Sequence, residues 1–285
     1  MKHEKADMRN WLLTLALLGA SLIATAQEKY VVIAHSSDTH SCIEPISASH
    51  KDTALADKAG AVRRDVMLRQ LREAHQGRVI TLDCGDFSQG SVFYNLFKGE
   101  VEVQLMNKMK YDAVLIGNHE FDYGMENLAR LIEMADFPFV CTNYDFTGTP
   151  LEGLVKPYII IERAGVRVGV LGVSPKLEGL VSRKSYGKTK YIKPAKAAQP
   201  VIDLLRHKEQ CDIVICLSHL GDLQQEDADT DFIARTKGID LVLGGHTHSE
   251  FKTHRLVKDK DGKEVVLNHV GKHGRWVGTH TIVME

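Results

Sequence analysis

The chain has 285 residues, of which 44% are hydrophobic and 26% are charged, a composition typical of a globular protein. Lys and Arg number 36 and Asp and Glu number 37, so the formal net charge is -1, and no global field directs the chain to a nucleic acid polymer or an anionic membrane. The 14 histidines are the unusual feature, because imidazole is the commonest metal ligand.

The N-terminal segment has the parts of a secretory signal peptide. Basic residues precede an apolar stretch that begins at Trp11, and an Ala-Thr-Ala sequence follows at residues 24–26. An uncleaved anchor is the alternative, but the stretch is short for a membrane span of roughly 20 apolar residues. We therefore expect residues 1–26 to be removed. Residues 27–285 would then be exported, to the periplasm or outside the cell, without a stable membrane anchor.

The rest of the chain alternates short apolar runs with amphipathic stretches. The runs are residues 30–35, 78–85, 112–117, 137–143, 166–173, 212–218 and 240–245. Their β-branched and nearly continuous apolar character predicts strands that are buried on both faces. The amphipathic stretches predict helices over residues 61–75, 101–109, 125–134 and 194–209. Strands that alternate with helices indicate a layered α/β fold.

The C-terminal segment predicts an antiparallel hairpin that closes a second, mixed sheet. Asp261-Gly262 is a turn signal and is flanked by alternating residues. No repeat or Pro-rich linker interrupts residues 27–285, so we expect one catalytic domain. The five cysteines lack C-x-x-C spacing, which argues against a disulfide framework or a zinc ribbon. Cys84 and Cys216 lie in apolar runs and are expected to be buried thiols. One disulfide is possible in an oxidising compartment, and the sequence does not assign its two cysteines.

Five of the predicted strands end in residue types that bind metals. The residues that follow them are Asp38 and His40, Asp86, Asn118 and His119, His219, and His246 and His248. In open α/β sheets ligands bind beyond the carboxyl ends of the strands, so these side chains should converge. Imidazole and carboxylate suit zinc, manganese, iron or cobalt better than calcium. D-x-H and H-x-H would place both side chains on one side of an extended segment, and Asp86 is the natural bridge between two ions.

Each of these motifs also has an ordinary structural explanation. A D-x-H sequence arises by chance, Gly-Asp is a common turn, and a lone His219 could be a core histidine. G-N-H-E and G-H-x-H after apolar runs are scarcer, and the joint appearance of all five in this context favours a metal site. Six other histidines are expected to lie on helix or hairpin surfaces and to have no role in the site: His75, His207, His254, His269, His273 and His280.

This series of motifs resembles the calcineurin-like metallophosphoesterase superfamily. Residues 85–124 are similar to the signature of its 5'-nucleotidase branch, and Ser88-Gln89-Gly90 stands where protein phosphatases of the superfamily carry an Asp-Arg pair. The resemblance covers nearly all of residues 29–285 and corresponds to the N-terminal catalytic domain only. It implies a four-layer α/β/β/α sandwich with two mixed sheets.

The resemblance also implies a site with two divalent ions, which could be Zn, Mn, Co, Fe or Mg. Its ligands would be Asp38, His40, Asp86 and His248 for the first ion, and Asp86, Asn118, His219 and His246 for the second. His119 is left over from coordination; in the family it stabilises the transition state or protonates the leaving oxygen, and Asp122 would orient it.

We therefore expect an exported phosphohydrolase that resembles 5'-nucleotidases and uses a metal-activated water on nucleotide monoesters or other small phosphate esters. A phosphodiesterase and a broad phosphatase are alternatives. A third is a metal-binding subunit that is active only with a separately encoded C-terminal domain. This alternative arises because family 5'-nucleotidases continue into a domain that binds the base, whereas the sequence ends at Glu285. No nucleic acid polymer is expected as a partner.

Overall fold

The computed structural model describes residues 28–222 and 227–284. Tyr30–Ile282 form one compact unit. Of the second unit the structure describes residues 28–29 and 283–284, where the Met284 N–H donates to the Lys29 carbonyl at 2.8 Å. The predicted signal peptide lies outside the described residues. Among the residues that are described, no helix has the length and apolar character needed to cross a membrane.

The strands and helices alternate along the chain. The strands are β1 (Tyr30–Ser36), β2 (Val79–Asp83), β3 (Ala113–Leu115), β4 (Phe139–Val140), β5 (Tyr144–Asp145), β6 (Tyr158–Arg163), β7 (Val166–Val173), β8 (Lys190–Tyr191), β9 (Ile213–Ser218), β10 (Leu241–Gly244), β11 (Arg255–Lys258), β12 (Glu264–His269) and β13 (Gly278–Val283). The α-helices are α1 (Ala61–Ala74), α2 (Val92–Phe97), α3 (Glu100–Lys108), α4 (Met125–Met134), α5 (Arg183–Tyr186), α6 (Pro194–Asp203) and α7 (Asp229–Arg235). A 3-10 turn spans His119–Phe121, and a π turn over Leu204–Lys208 continues α6. All the strands and helices predicted from the sequence are present.

Two large sheets carry the fold. The first has the strand order β13-β1-β2-β3-β4, and the second has the order β11-β12-β10-β9-β7-β6. Pairing is parallel from β1 to β4. The second sheet is mixed, because β7, β9, β10 and β12 are parallel whereas β6 and β11 are antiparallel to their neighbours. The β11–β12 pair confirms the hairpin predicted at Asp261-Gly262.

The two sheets pack face to face, and helices cover their outer faces. Gly172 of β7 lies so close to the first sheet that an added Cβ would stand 2.6 Å from Leu115 Cδ1 and 3.2 Å from the Val140 carbonyl. Asn268 Nδ2 of β12 lies 3.3 Å from His35 Nε2 of β1. Helix α1 packs on β2, and α6 packs on β7. The architecture is therefore the predicted four-layer α/β/β/α sandwich.

Some elements and two histidines differ from expectation. Strand β6, the small β5–β8 sheet and helices α2, α5 and α7 were missed, because most of them are too short to show a periodic pattern. The expectation of a surface position is wrong for His269, which is 1% exposed and lies 2.7 Å from Asp229 Oδ2 through Nε2. His280 is half-buried and stacks on His35.

All five cysteines lie among the described residues, and all are free thiols there. Cys84 and Cys216 are buried, as predicted, and Cys141 and Cys211 are buried as well. Cys42 alone of the five is partly exposed. The disulfide that the sequence left open is therefore not formed in the described structure.

Candidate metal centre

Loops from both sheets meet at the carboxyl ends of β1, β2, β3, β9 and β10. The Asp38 N–H, after β1, donates to the Gly85 carbonyl, after β2, at 2.9 Å. The His219 Nδ1, after β9, lies 2.7 Å from the Cys84 carbonyl. The His246 N–H, after β10, donates to Asp38 Oδ1 at 3.0 Å. These bonds join the two sheets at one edge, so polar residues far apart in the sequence share one site.

Six of the predicted ligands form two groups, each able to hold a metal ion. The groups are Asp38, His40 and His248, and Asp86, His219 and His246. Within each group the candidate ligand atoms lie within 4.8 Å of one another. The two groups adjoin, since His219 Nε2 lies 2.9 Å from Asp86 Oδ2 and 3.9 Å from Asp38 Oδ1.

Asn118, the seventh predicted ligand, lies in the loop that follows β3. Its side-chain Oδ1 is buried and has no hydrogen-bond partner among the described residues. The next residue ties it to the second group, because the His119 N–H donates to Asp86 Oδ1 at 2.9 Å. The structure therefore brings all seven predicted ligands to one edge of the sandwich.

The donor set fits divalent metal ions. His219 Nε2, like Asn118 Oδ1, is buried and forms no hydrogen bond of good geometry among the described residues, although Asp86 Oδ2 lies 2.9 Å away. Leaving such a group unsatisfied costs about 1–3 kcal/mol, and a cation would satisfy both atoms. Nitrogen and oxygen donors without sulfur suit zinc, manganese, iron or cobalt.

Backbone geometry sets this edge apart from an ordinary polar surface. Left-handed φ angles occur at the five ligands Asp38 (50°), His40 (43°), Asp86 (56°), His246 (74°) and His248 (57°). Such angles cost non-glycine residues of order 1–3 kcal/mol each, and they cluster at functional sites. The extended geometry expected for D-x-H and H-x-H is therefore wrong: tight turns, rather than strand alternation, bring these side chains together.

The charge distribution favours a bound cation. Burial by itself lowers the pKa of His219, but the carboxylates of Asp86 and Asp38 outweigh it and raise the pKa to about 10. Burial lowers the pKa of His40 and of His246 to about 4. Imidazoles must be neutral to bind metal, so His40 and His246 are ready to do so, while the field at His219 attracts positive charge.

His119 and Asp122 form a pair at the rim of the site. His119 Nδ1 lies 2.9 Å from Asp122 Oδ2, and the two side chains are 31% and 32% exposed. The hydrogen bond to Asp122 raises the pKa of His119 to about 9. The ring centroid of His119 lies 5.4 Å from that of His40. His119 belongs to neither ligand group and remains accessible to a substrate.

Glu120 is a site residue for which the sequence motifs predicted no role. It is 1% exposed. Its Oε2 accepts from the N–H groups of Gly117 (2.7 Å) and Asp86 (2.9 Å), and its Oε1 accepts from the Ser88 N–H (3.1 Å). The carboxylate thus holds the loops after β2 and β3 together. The sequence held one indication of this role, namely an acidic residue beside turns whose N–H groups lack strand partners.

His273 is a third histidine, after His269 and His280, whose position differs from expectation. Its N–H donates to the Asp38 carbonyl at 2.7 Å, and its ring centroid lies 6.3 Å from that of His40. It adopts a left-handed φ of 65°. The segment between β12 and β13 therefore returns to the metal-binding edge, and His273 is part of the site rather than of a remote hairpin surface.

Comparison with known proteins agrees with this geometry. The family model for calcineurin-like phosphoesterases matches residues 31–250. The snake venom 5'-nucleotidase of Crotalus adamanteus is 29% identical over 93% of this chain and 47% of its own length. The chain thus spans about half the length of the curated relatives it matches.

Two solved structures share the fold at 25% identity. The 5'-nucleotidase precursor from Thermus thermophilus superposes with a TM-score of 0.77, and the match covers 90% of this chain and 52% of that one. The calcineurin-like phosphoesterase YfkN from Bacillus subtilis superposes with a TM-score of 0.74, and the match covers 90% of this chain and 86% of that one. Both likenesses confirm the sandwich derived above.

Proposed function

The chain belongs to the calcineurin-like phosphoesterase family, and from that premise we propose that it hydrolyses phosphate esters with two divalent metal ions. The observation that carries the proposal is the pair of adjoining ligand groups at one edge of the sandwich. The accessible His119–Asp122 pair beside them supports catalysis rather than metal storage, because a storage site needs no group that faces the substrate.

The proposed ligands of the first ion are Asp38, His40, Asp86 and His248, and those of the second are Asp86, Asn118, His219 and His246. Bound ions lower the pKa of a water molecule and neutralise charge on the phosphate. The protein holds the donors in place beforehand: Ser37 Oγ donates to the Asp38 carboxylate, and the Cys84 carbonyl orients the His219 ring through Nδ1. Such outer contacts fix the ring orientation of a ligand.

His119 is proposed to act on the leaving group. Because Asp122 accepts a hydrogen bond from Nδ1, Nε2 is the atom available to donate to the leaving oxygen or to a phosphate oxygen. Asp122 acts as a positioning residue that fixes the imidazole. General acid catalysis by a positioned side chain contributes typically 10²–10⁴-fold.

Nucleoside 5'-monophosphates are the proposed substrates. The support is the series of curated relatives named 5'-nucleotidases, which this chain matches over most of its own length. Since those relatives are about twice as long, we also propose that further polypeptide, continuous or separately encoded, adds contacts to the substrate. Export is proposed on the N-terminal sequence and on the snake venom relative.

Hydrolysis assays on the purified chain test the proposal. We would remove metal with a chelator, restore Mn²⁺, Zn²⁺ or Co²⁺, and measure phosphate release from AMP and nitrophenol release from nitrophenyl phosphate and bis(nitrophenyl) phosphate. Metal-dependent hydrolysis of the monoesters is expected. A faster rate on the diester would favour a phosphodiesterase. A folded, metal-loaded chain that is inactive on all three esters would contradict the proposal.

A further inference from the structure

Asp222 joins the loop after β9 to the loop after β10. Its Oδ1 accepts from the Thr247 hydroxyl at 2.9 Å, and its N–H donates to the same hydroxyl oxygen at 3.3 Å. Thr247 stands between His246 and His248, which are proposed ligands of different ions. We propose that Asp222 is a positioning residue that holds both histidines in place for metal binding through Thr247. The inference rests on the proposed two-metal function and adds a residue to its support.

The same carboxylate holds both neighbours of His248. Oδ1 of Asp222 also accepts from the Ser249 hydroxyl at 2.6 Å, so one oxygen binds the residues on either side of that ligand. Oδ2 lies 3.4 Å from Nη1 of Arg255, which balances the charge, and the Asp222 side chain is 10% exposed. Hydrogen bonds to an ionised acceptor are roughly twice as strong as neutral ones. This carboxylate is therefore well suited to fix the turn.

The two loops also pack closely at this point. Gly221 has a left-handed φ of 88°, and an added Cβ would stand 2.5 Å from Thr247 Cγ2. Glycine at this position therefore lets the backbone approach the threonine methyl group. Asp222 follows directly, so its carboxylate and its N–H reach the hydroxyl of the same side chain. The methyl and hydroxyl contacts together define the rotamer of Thr247, whose branched side chain is stiff.

The rings of His246 and His248 depend on this turn for their orientation. The ring of His219 is oriented by the Cys84 carbonyl, which lies 2.7 Å from its Nδ1. Among the residues that the structure describes, no backbone carbonyl bonds to the ring of His246 or His248, and both rings face other histidines. Outer contacts that fix a ligand are usually made to its ring. Here the backbone between the two ligands has to be held instead.

The turn has an unfavourable backbone conformation. His246 and His248 adopt left-handed φ angles of 74° and 57°. Such angles persist in non-glycine residues only where the surrounding structure enforces them. Asp38 constrains the start of the turn by accepting from the His246 N–H at 3.0 Å, and Asp222 constrains its centre. Without Asp222 the turn can relax, so the two imidazoles would have to be ordered again when metal binds.

Thr247→Val and Asp222→Ala test the proposal by metal affinity. Valine keeps the shape of threonine and removes only the hydroxyl. Calorimetric titration of the metal-free chain with Mn²⁺ should show about 10–100-fold weaker binding in each variant. Both binding steps should weaken, because the turn carries a proposed ligand of each ion. Thr247→Ser keeps the hydroxyl and should bind Mn²⁺ within about threefold of the wild-type affinity.

Thr236→Val is the matched control. The Thr236 hydroxyl donates to the Phe232 carbonyl at 3.0 Å, and Thr236 precedes β10, whereas the metal-binding turn follows it. The control therefore loses a hydroxyl bond at the opposite edge of the sheet. Urea unfolding of the metal-free chains should show similar shifts of the midpoint for Thr236→Val and Thr247→Val. Only Thr247→Val should lose metal affinity, which a purely structural role would not affect.

The outcomes separate this inference from the proposed function. Wild-type Mn²⁺ affinity in Thr247→Val would overturn the positioning role, and hydrolysis of AMP by the same chain would still uphold the proposed function. Mn²⁺ binding that is weakened by Thr247→Val and restored by Thr247→Ser, in a chain inactive on every ester, would uphold the positioning role and contradict the proposed function. Should Asp222→Ala fail to fold, the two variants at Thr247 decide the question.

Discussion

The His119 N–H donates to Oδ1 of Asp86 at 2.9 Å. This bond fixes the loop that carries the proposed acid to the carboxylate proposed to bridge the two ions. The other oxygen of Asp86 lies 2.9 Å from His219 Nε2, so one buried side chain contacts both the loop after β3 and the loop after β9. Substitutions at Asp86 and His119 should therefore separate metal binding from catalysis.

Asp86→Asn should lower the bound metal content and the activity more than replacing any single histidine ligand does. The substitution keeps the shape of the side chain but removes the charge between the two ions, which only Asp86 is proposed to contact together. Elemental analysis of the purified variant measures the bound metal, and Asp145→Asn, at a partly exposed carboxylate, is the control. Two ions retained at wild-type affinity would rule out Asp86 as the bridge.

His119→Asn should lower turnover by roughly 10²-fold or more while both ions stay bound, because a group that stabilises or protonates the transition state is lost. The comparison is kcat on AMP with metal content measured on the same samples. His75→Asn serves as the control, since His75 contacts Tyr30 rather than the site.

The leaving group distinguishes the two roles of His119. Nitrophenolate leaves without protonation, so the nitrophenyl ester should lose less activity in His119→Asn than AMP does if His119 is a general acid. Equal losses on both esters would indicate stabilisation of charge on the phosphate. Loss of metal from the variant would instead show that His119 is a ligand.

Glu120→Gln should lower the free energy of unfolding by about 1–3 kcal/mol, because the amide offers one acceptor oxygen where the carboxylate accepts from three N–H groups. Those donors belong to Gly117, Asp86 and Ser88. Urea unfolding measures the change, with the exposed Glu126→Gln as control. Metal affinity should fall as well, since the loop at Asp86 loosens. A stability equal to that of the control would show that the three bonds are replaceable.

Metal should raise the unfolding temperature of the chain. Ions that bind the folded state alone stabilise it by about 2.7 kcal/mol at a concentration 100-fold above Kd, and here they would also satisfy Asn118 Oδ1 and His219 Nε2. Thermal unfolding with a chelator and then with Zn²⁺, Mn²⁺ or Co²⁺ measures this effect. Asp86→Asn should respond less than the wild type. An unfolding temperature indifferent to all three ions would contradict the metal-site assignment.

The sequence by itself determined the strands and most of the ligand positions. Runs such as residues 30–35 and 212–218 are apolar on both faces, and a strand with that pattern is stable only inside a layered sandwich. Because parallel strands end at a common edge, polar residues placed directly after them had to come together. Local pattern was therefore sufficient to predict the fold class and the convergence of Asp38, Asp86 and His219.

The tertiary structure alone decided how that edge is built. His273 reaches Asp38 across more than 200 residues of sequence, Glu120 accepts from the loop at Asp86, and His269 is buried against Asp229. The left-handed angles at Asp38 and His246 arise in the same way. Apart from the acidic residue beside turns at Glu120, these features have no local signature, because each is stabilised by contacts between distant segments that outweigh the preferences of the residues themselves. Periodicity reports which face of an element is buried, whereas these contacts depend on which elements become neighbours.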